Sequence, residues 1–157
     1  MNKPDYKLLD SQLRALLADE ADALASASNF VALLYNALDD INWLGIYVLR
    51  GPELVLGPFQ GKPACVHIDV GKGVCGGAAA SRTTQRIADV NQFDGHIACD
   101  VDSRSELVVP LECNGELIGV LDIDSPLLHR FSDADQRGVE KMCETFCELQ
   151  SSRDNFI

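Results

Sequence analysis

Glu106-Leu-Val-Val-Pro-Leu-Glu-Cys113 and Glu116-Leu-Ile-Gly-Val-Leu-Asp-Ile-Asp124 flank the dipeptide Asn114-Gly115. Two apolar runs joined by Asn-Gly are a strong hairpin signal, because both turn residues accept the left-handed backbone of a tight turn. The hairpin predicts an antiparallel sheet, and the segments on either side extend it. Ile41-Asn-Trp-Leu-Gly-Ile-Tyr-Val-Leu49 is rich in β-branched and aromatic residues and reads as a strand. Arg50-Gly51-Pro52 turns it into a shorter strand over 53–56, which Gly57-Pro58 ends. Residues 64–68 read as a third short strand with Cys65 and His67 on one face, and residues 85–90 as another.

Helices bracket these strands. Leu8, Leu9, Leu13, Leu16 and Leu17 recur at helical spacing over 6–18. Leu24, Ala27, Val31, Leu34 and Leu38 make the apolar stripe of a second helix over 20–38. Ser132 is an N-cap for a closing helix over 133–150, with Asp133 and Asp135 at the positive end of its dipole. The order predicts one α+β domain over 1–157: N-terminal helices 6–38, sheet and active-site loops 41–125, and C-terminal helix 133–150. Its antiparallel sheet carries helices packed on one face.

With 46% apolar and 24% charged residues, the composition is that of a soluble globular protein. No apolar run reaches the ~20 residues of a membrane span, so no membrane partner is expected. The start, Met1-Asn-Lys-Pro-Asp-Tyr6, has no apolar segment of the secretory type, which predicts a cytoplasmic protein. A formal net charge of −11 argues against a nucleic-acid partner, which would need clustered Lys and Arg. It fits a ligand with some positive charge.

Six cysteines in a reducing compartment argue against a structural disulfide framework. Cys143 and Cys147, four apart on one helical face, read as small buried hydrophobes, and Cys113 beside the Asn-Gly turn reads as structural. Cys65, Cys75 and Cys99 remain, all in or beside loops. Cys75 lies in Gly71-Lys-Gly-Val-Cys-Gly-Gly77, a glycine-dense loop leading into a short helix near 78–81; it lacks the Gly-Lys-Ser/Thr ending of a phosphate loop. Cys99 ends the polar stretch Phe93-Asp-Gly-His-Ile-Ala-Cys-Asp100, just before the hairpin.

Asp122 and Asp124 alternate with Ile123 and share one face of their strand. Two such carboxylates are either a solvated strand end or a site for a ligand ammonium or for proton transfer. A two-residue turn at Asn114-Gly115 pairs Glu106 with Ile123 and sends it to the opposite face. A bulge, or loop geometry at Glu106, is expected to bring it across. Trp43, Gly45 and Tyr47 also share a face, either packed against a helix or walling a ligand slot.

A zinc site from Cys65, Cys75 and Cys99 with His67 or His96 lacks any closely spaced ligand pair. A Cys–His hydrolase would need Cys99 beside a histidine base, and His96, three residues away, is not thereby a dyad partner. Thiol redox chemistry fits better: one thiolate attacks, becomes a sulfenic acid, and a second thiol condenses with it.

Leu56-Gly-Pro-Phe-Gln-Gly-Lys-Pro-Ala-Cys65, Gly73-Val-Cys-Gly76, residues 93–100, Ser105-Glu-Leu-Val-Val-Pro110 and Gly119-Val-Leu-Asp-Ile-Asp-Ser125 together closely resemble the free methionine-(R)-sulfoxide reductases. These are single-domain GAF-fold enzymes that reduce the free amino acid. The resemblance covers nearly the whole chain and implies roles residue by residue. Cys99 would be the nucleophile and Cys65 the resolving thiol, forming a Cys65–Cys99 disulfide that thioredoxin reduces; Cys75 would be a third thiol able to substitute or assist. Trp43 and Tyr47 would wall the substrate methyl group, with Ile97 and Ala98 completing the substrate-binding set. Glu106, Asp122 and Asp124 would hold the substrate and assist at the sulfoxide oxygen.

Under this resemblance the gap at Gly45 reads as room for a small ligand. It implies no metal and no cofactor, free methionine sulfoxide and thioredoxin as partners, and leaves open a homodimer through the terminal helices. The competing reading is a small-ligand or thiol redox-sensing GAF domain without turnover. Such a module is usually fused to an output domain, for which 157 residues leave no room.

Overall fold

The hairpin is the centre of the sheet, and the rest of the chain is added outward from it. The computed structural model describes residues 3–97 and 99–150. In chain order the elements are α1 (Tyr6–Leu17), α2 (Ala23–Ala37), β1 (Trp43–Arg50), β2 (Glu53–Gly61), β3 (His67–Asp69), α3 (Gly73–Ser81), β4 (Gln85–Ile87), β5 (Ser105–Cys113), β6 (Glu116–Ser125) and α4 (Asp133–Glu148). The six strands form one sheet in the order β3-β2-β1-β6-β5-β4, antiparallel at every pairing. The α+β arrangement is the one the sequence implies.

Period-two alternation divides the sheet into two chemically different faces. Leu44, Ile46, Val48, Leu107, Val109, Leu121 and Ile123 point to one side and form the main core with α1, α2 and α4. Trp43, Tyr47, Val108 and Val120 point to the other, where they meet Val74, Cys75, Ala78 and Ala79 of α3. Three helices thus cover one face, while short α3 lies on the opposite face.

The helix ends follow their side chains. Asp5 and Asp22 accept the Leu8 and Ala25 amides (3.0 and 2.9 Å), so α2 starts after Asp22 rather than at residue 20. At α4, Ser132 and Asp135 form a reciprocal capping box. Buried Asp135 also accepts from Tyr6 (2.7 Å) and pairs with Arg130 (3.2 Å), tying the chain's two ends together.

Four local expectations are corrected. β2 does not stop at Gly57-Pro58 but continues to Gly61; its ladder with β1 shifts register between Gly45 and Tyr47, and an irregular stretch tolerates a proline without an N–H. β3 is only His67–Asp69, which leaves Cys65 in the preceding loop and His67 on the exterior, paired with Glu53 at 3.1 Å. Helix α3 starts at Gly73 and includes Cys75, because burial of Val74, Cys75, Ala78 and Ala79 outweighs the low helix propensity of glycine. Gly76 is needed there, since a Cβ would overlap the Asp69 carbonyl.

The fourth concerns cysteines. Cys113 and Cys147 are not separate core thiols: a disulfide joins them, with Cα atoms 4.8 Å apart, and fastens the end of β5 to the end of α4. Cys143 stays free and buried. No helix is long and apolar enough to cross a membrane among the described residues.

Candidate active site

A single extra residue in β6 assembles the acidic floor. Cys113 pairs with Glu116 and Glu112 with Leu117, but the ladder then skips Ile118, so Leu111 pairs with Gly119 and Glu106 with Asp124. This is the expected bulge. Beyond it, residues of equal parity face each other, and Glu106, Asp122 and Asp124 fall on the same side of the sheet. Neighbouring β1 brings Trp43 opposite Asp124 and Gly45 opposite Asp122.

Trp43, Tyr47, Cys75, Ile97, Cys99, Glu106, Asp122 and Asp124 all line one pocket. Cys65 is bonded to Cys99 in a disulfide (Cα–Cα 5.6 Å). Every site residue that the sequence nominates therefore meets in one place, except Ala98, which lies outside the described residues. Ile97 lies over the start of α3, where a Cβ on Gly73 would come within 3.1 Å of its side chain.

The space above Gly45 is not the ligand slot. A Cβ there would sit 2.5 Å from both the Trp43 ring and the Phe59 Cβ, so those two groups fill the gap themselves. Trp43 stacks between Tyr47 and Phe59, with centroids 5.8 and 5.4 Å away. Its Nε1–H donates to the Lys62 carbonyl (3.1 Å), and the Tyr47 hydroxyl donates to the Cys65 carbonyl (2.9 Å). The aromatic pair thus does two jobs: its rings wall the pocket and its polar tips anchor the loop that carries Cys65.

The floor is dry and crowded with acids. Glu106 and Asp122 are 5% and 6% exposed, and Cys75 Sγ lies 3.9 Å from Glu106 Oε1. Burial raises the proton affinity of all three carboxyls. Glu106 rises further because Asp122 and Asp124 are close, and Asp124 because Asp122 and Asp100 are. Glu106 is held well above the usual carboxylate range by its burial and by the neighbouring Asp122 and Asp124 charges, so the floor cannot ionise completely. Burial, with Asp122 next, also holds the Cys75 thiol well above its usual range.

Among the described residues, two polar atoms in this region are buried without a partner: Asp122 Oδ1 and Asn42 Oδ1. An orphaned carboxylate oxygen at the bottom of a pocket is a ready acceptor for an incoming cationic donor.

Several pocket residues have no site role assigned from the sequence. His96 faces Glu106 (Nε2–Oε2 3.8 Å), and burial lowers its imidazole into the neutral form. Asn42 donates to Asp100 (3.3 Å) and Ser103 (3.2 Å), bracing the Cys99 loop. Lys62 and Lys72 stand at the rim, the first paired with Asp102 at 2.8 Å. The only hint in the sequence was the position of Asn42 next to Trp43. The zinc set that the sequence offered does not assemble: His67 is outside, and Cys65 and Cys99 are bonded to each other.

A curved antiparallel sheet with a helix-walled ligand pocket on one face defines a GAF domain, and the GAF-domain family matches residues 12–147. The free methionine-R-sulfoxide reductase of Escherichia coli is 54% identical over 155 residues, covering 98% of this chain and 94% of its own. An fRMsr of Staphylococcus aureus in complex with substrate is 50% identical, with a TM-score of 0.91 over 96% of this chain and 99% of that one. A free methionine-R-sulfoxide reductase from Neisseria meningitidis, also in complex with its substrate, is 40% identical, with a TM-score of 0.88 over 92% and 87% of the two chains. The chain belongs to the free methionine-R-sulfoxide reductase family of GAF-domain proteins.

Proposed function

We propose that this protein reduces free L-methionine-(R)-sulfoxide to L-methionine through a cysteine sulfenic acid and an intramolecular disulfide. The observation that carries the reading is the Cys65–Cys99 disulfide beside a pocket floored by three carboxyls, of which Glu106 and Asp122 are buried. Relatives with the same name in two species, solved with substrate, support it.

The thiolate of Cys99 attacks the sulfoxide sulfur. A sulfoxide oxygen leaves poorly until it is protonated, and Glu106, whose proton affinity burial and the neighbouring carboxyls keep high, is the group that supplies it. The sulfur–oxygen bond and the newly formed Cys99–methionine sulfur bond then both break as the protonated oxygen passes to Cys99, which becomes a sulfenic acid, and methionine leaves with its sulfur reduced. The Cys65 thiol then displaces that oxygen as water and closes the disulfide. Two electrons and two protons from thioredoxin reopen it in the reducing cytoplasm.

Substrate choice follows from the same floor. Asp122, with its unpartnered Oδ1, and Asp124 accept the ammonium of a free amino acid. A peptide-bound methionine sulfoxide has no such ammonium and leaves these carboxylates buried and unpaired. Trp43 and Tyr47 pack against the methyl group.

The deciding measurement is methionine release from separated R and S epimers of free methionine sulfoxide, with dithiothreitol as reductant. Release from the R epimer alone supports the reading. Disulfide closure by peroxide with no methionine from either epimer would instead favour a redox-sensing domain.

A further inference from the structure

We propose that Cys75, Glu106 and Asp122 form a binding site for a thiophilic divalent cation such as Zn2+ at the floor of the pocket. One ligand atom from each of the three lies within 4.8 Å of both others. Ligands of a tetrahedral zinc, with bonds of about 2.0–2.3 Å, stand roughly 3.3–3.8 Å apart. The 3.9 Å from Cys75 Sγ to Glu106 Oε1 is already close to that spacing.

A second, independent observation points to a ligand. Asp122 Oδ1 is buried with no hydrogen-bond partner, in a residue only 6% exposed. A cation would satisfy it. Cys75 is also left over by the proposed reaction: Cys99 and Cys65 perform the redox steps, while the Cys75 sulfur lies on α3 against the acids. One sulfur and two carboxylate oxygens suit Zn2+, Co2+ or Cd2+ rather than Mg2+ or Ca2+, which favour all-oxygen sets.

Glu106 and Asp122 also serve the substrate in the proposed function. If that reading holds, ion and free amino acid exclude one another, and thiophilic metals act as competitive inhibitors.

The test uses Co2+ as probe on the oxidised protein, where Cys65–Cys99 and Cys113–Cys147 are closed and the free thiols are Cys75 and Cys143. Co2+ is expected to give a near-ultraviolet thiolate-to-metal charge-transfer band together with intense tetrahedral d–d bands. The Cys143→Ser variant should keep both. Cys75→Ser should lose the charge-transfer band, and Asp122→Asn should weaken binding by at least about 100-fold, since even outer-shell partners cost about 10–100-fold. Circular dichroism establishes that the variants are folded, and the two ligand variants, Cys75→Ser and Asp122→Asn, act on different elements. No binding to the wild type, binding without a thiolate band, or a band that survives Cys75→Ser overturns the proposal. Free methionine sulfoxide should displace the ion from this non-reacting oxidised form. A Cys75-dependent band that resists displacement upholds the metal site and instead removes Glu106 and Asp122 from substrate binding.

Discussion

Glu106, Asp122 and Asp124 show how neighbours divide the roles of like groups. Alone, each would be an ordinary carboxylate; packed in one floor, they cannot all ionise, and burial with two acidic neighbours holds Glu106 well above the usual range. Methionine release is therefore expected to fall as pH rises through the raised range of Glu106, because the acid form is lost. Glu106→Gln should remove that alkaline limb and most of the rate, by roughly 10²–10⁴-fold for a lost general acid. Single-turnover rates against pH would check both. Cys65→Ser is expected to release about one equivalent of methionine and then stall with thioredoxin, since the sulfenic acid lacks its condensing thiol. Undiminished multiple turnover would make Cys75 the resolving thiol. Tyr47→Phe keeps the aromatic wall but loses the bond to the Cys65 carbonyl. It should leave methionine release nearly intact and slow disulfide closure, read by quench-flow alkylation.

At the scale of elements, the bulge at Ile118 and the Cys113–Cys147 disulfide carry what propensity cannot. Alternation in the sequence puts Asp122 with Asp124, yet Glu106 joins them only because one residue of β6 is skipped. The sequence makes such a bulge necessary for the site without locating it, since Ile118 has the same apolar character as its neighbours. Cys113 and Cys147 look like separate core thiols for a similar reason: their meeting depends on α4 running across the end of β5. Their disulfide closes a sequence separation of 34 residues. Chain entropy then assigns it up to about 4 kcal/mol. Cys147→Ser should lose much of that in urea unfolding under oxidising conditions, and wild type and variant should converge in reductant. Helix α3 teaches the converse, because its glycines argue for a loop and its buried sulfur and methyl groups prevail.

For the whole molecule, two sets of carboxyls pull stability in opposite directions with pH. Glu106, Asp122 and Asp124 bind protons more tightly folded than unfolded, so the fold loses stability as pH rises from the ordinary carboxylate range through their raised values. At Asp135 burial pulls upward, but hydrogen bonds from Ser132 and Tyr6 and the Arg130 charge prevail. Its lowered proton affinity stabilises the fold above the ordinary carboxylate range, and that contribution disappears as pH falls through its folded value. The melting temperature should peak on the acid side of neutrality, and Asp122→Asn should raise it at pH 7 while abolishing substrate binding. A flat profile in calorimetry, unchanged by that variant, would contradict this account. The chain's own pattern determined the antiparallel sheet, its flanking helices, its apolar and site-bearing faces, and the identity of the thiols and acids, because periodicity, turn chemistry and motif are local and can be read along one dimension. Only the tertiary structure decided the register that unites Glu106 with Asp122 and Asp124, the filling of the Gly45 gap by Trp43 and Phe59, the second disulfide and the raised proton affinity of the acidic floor. Each of these depends on distances between residues far apart in sequence and on the removal of water from the space between them.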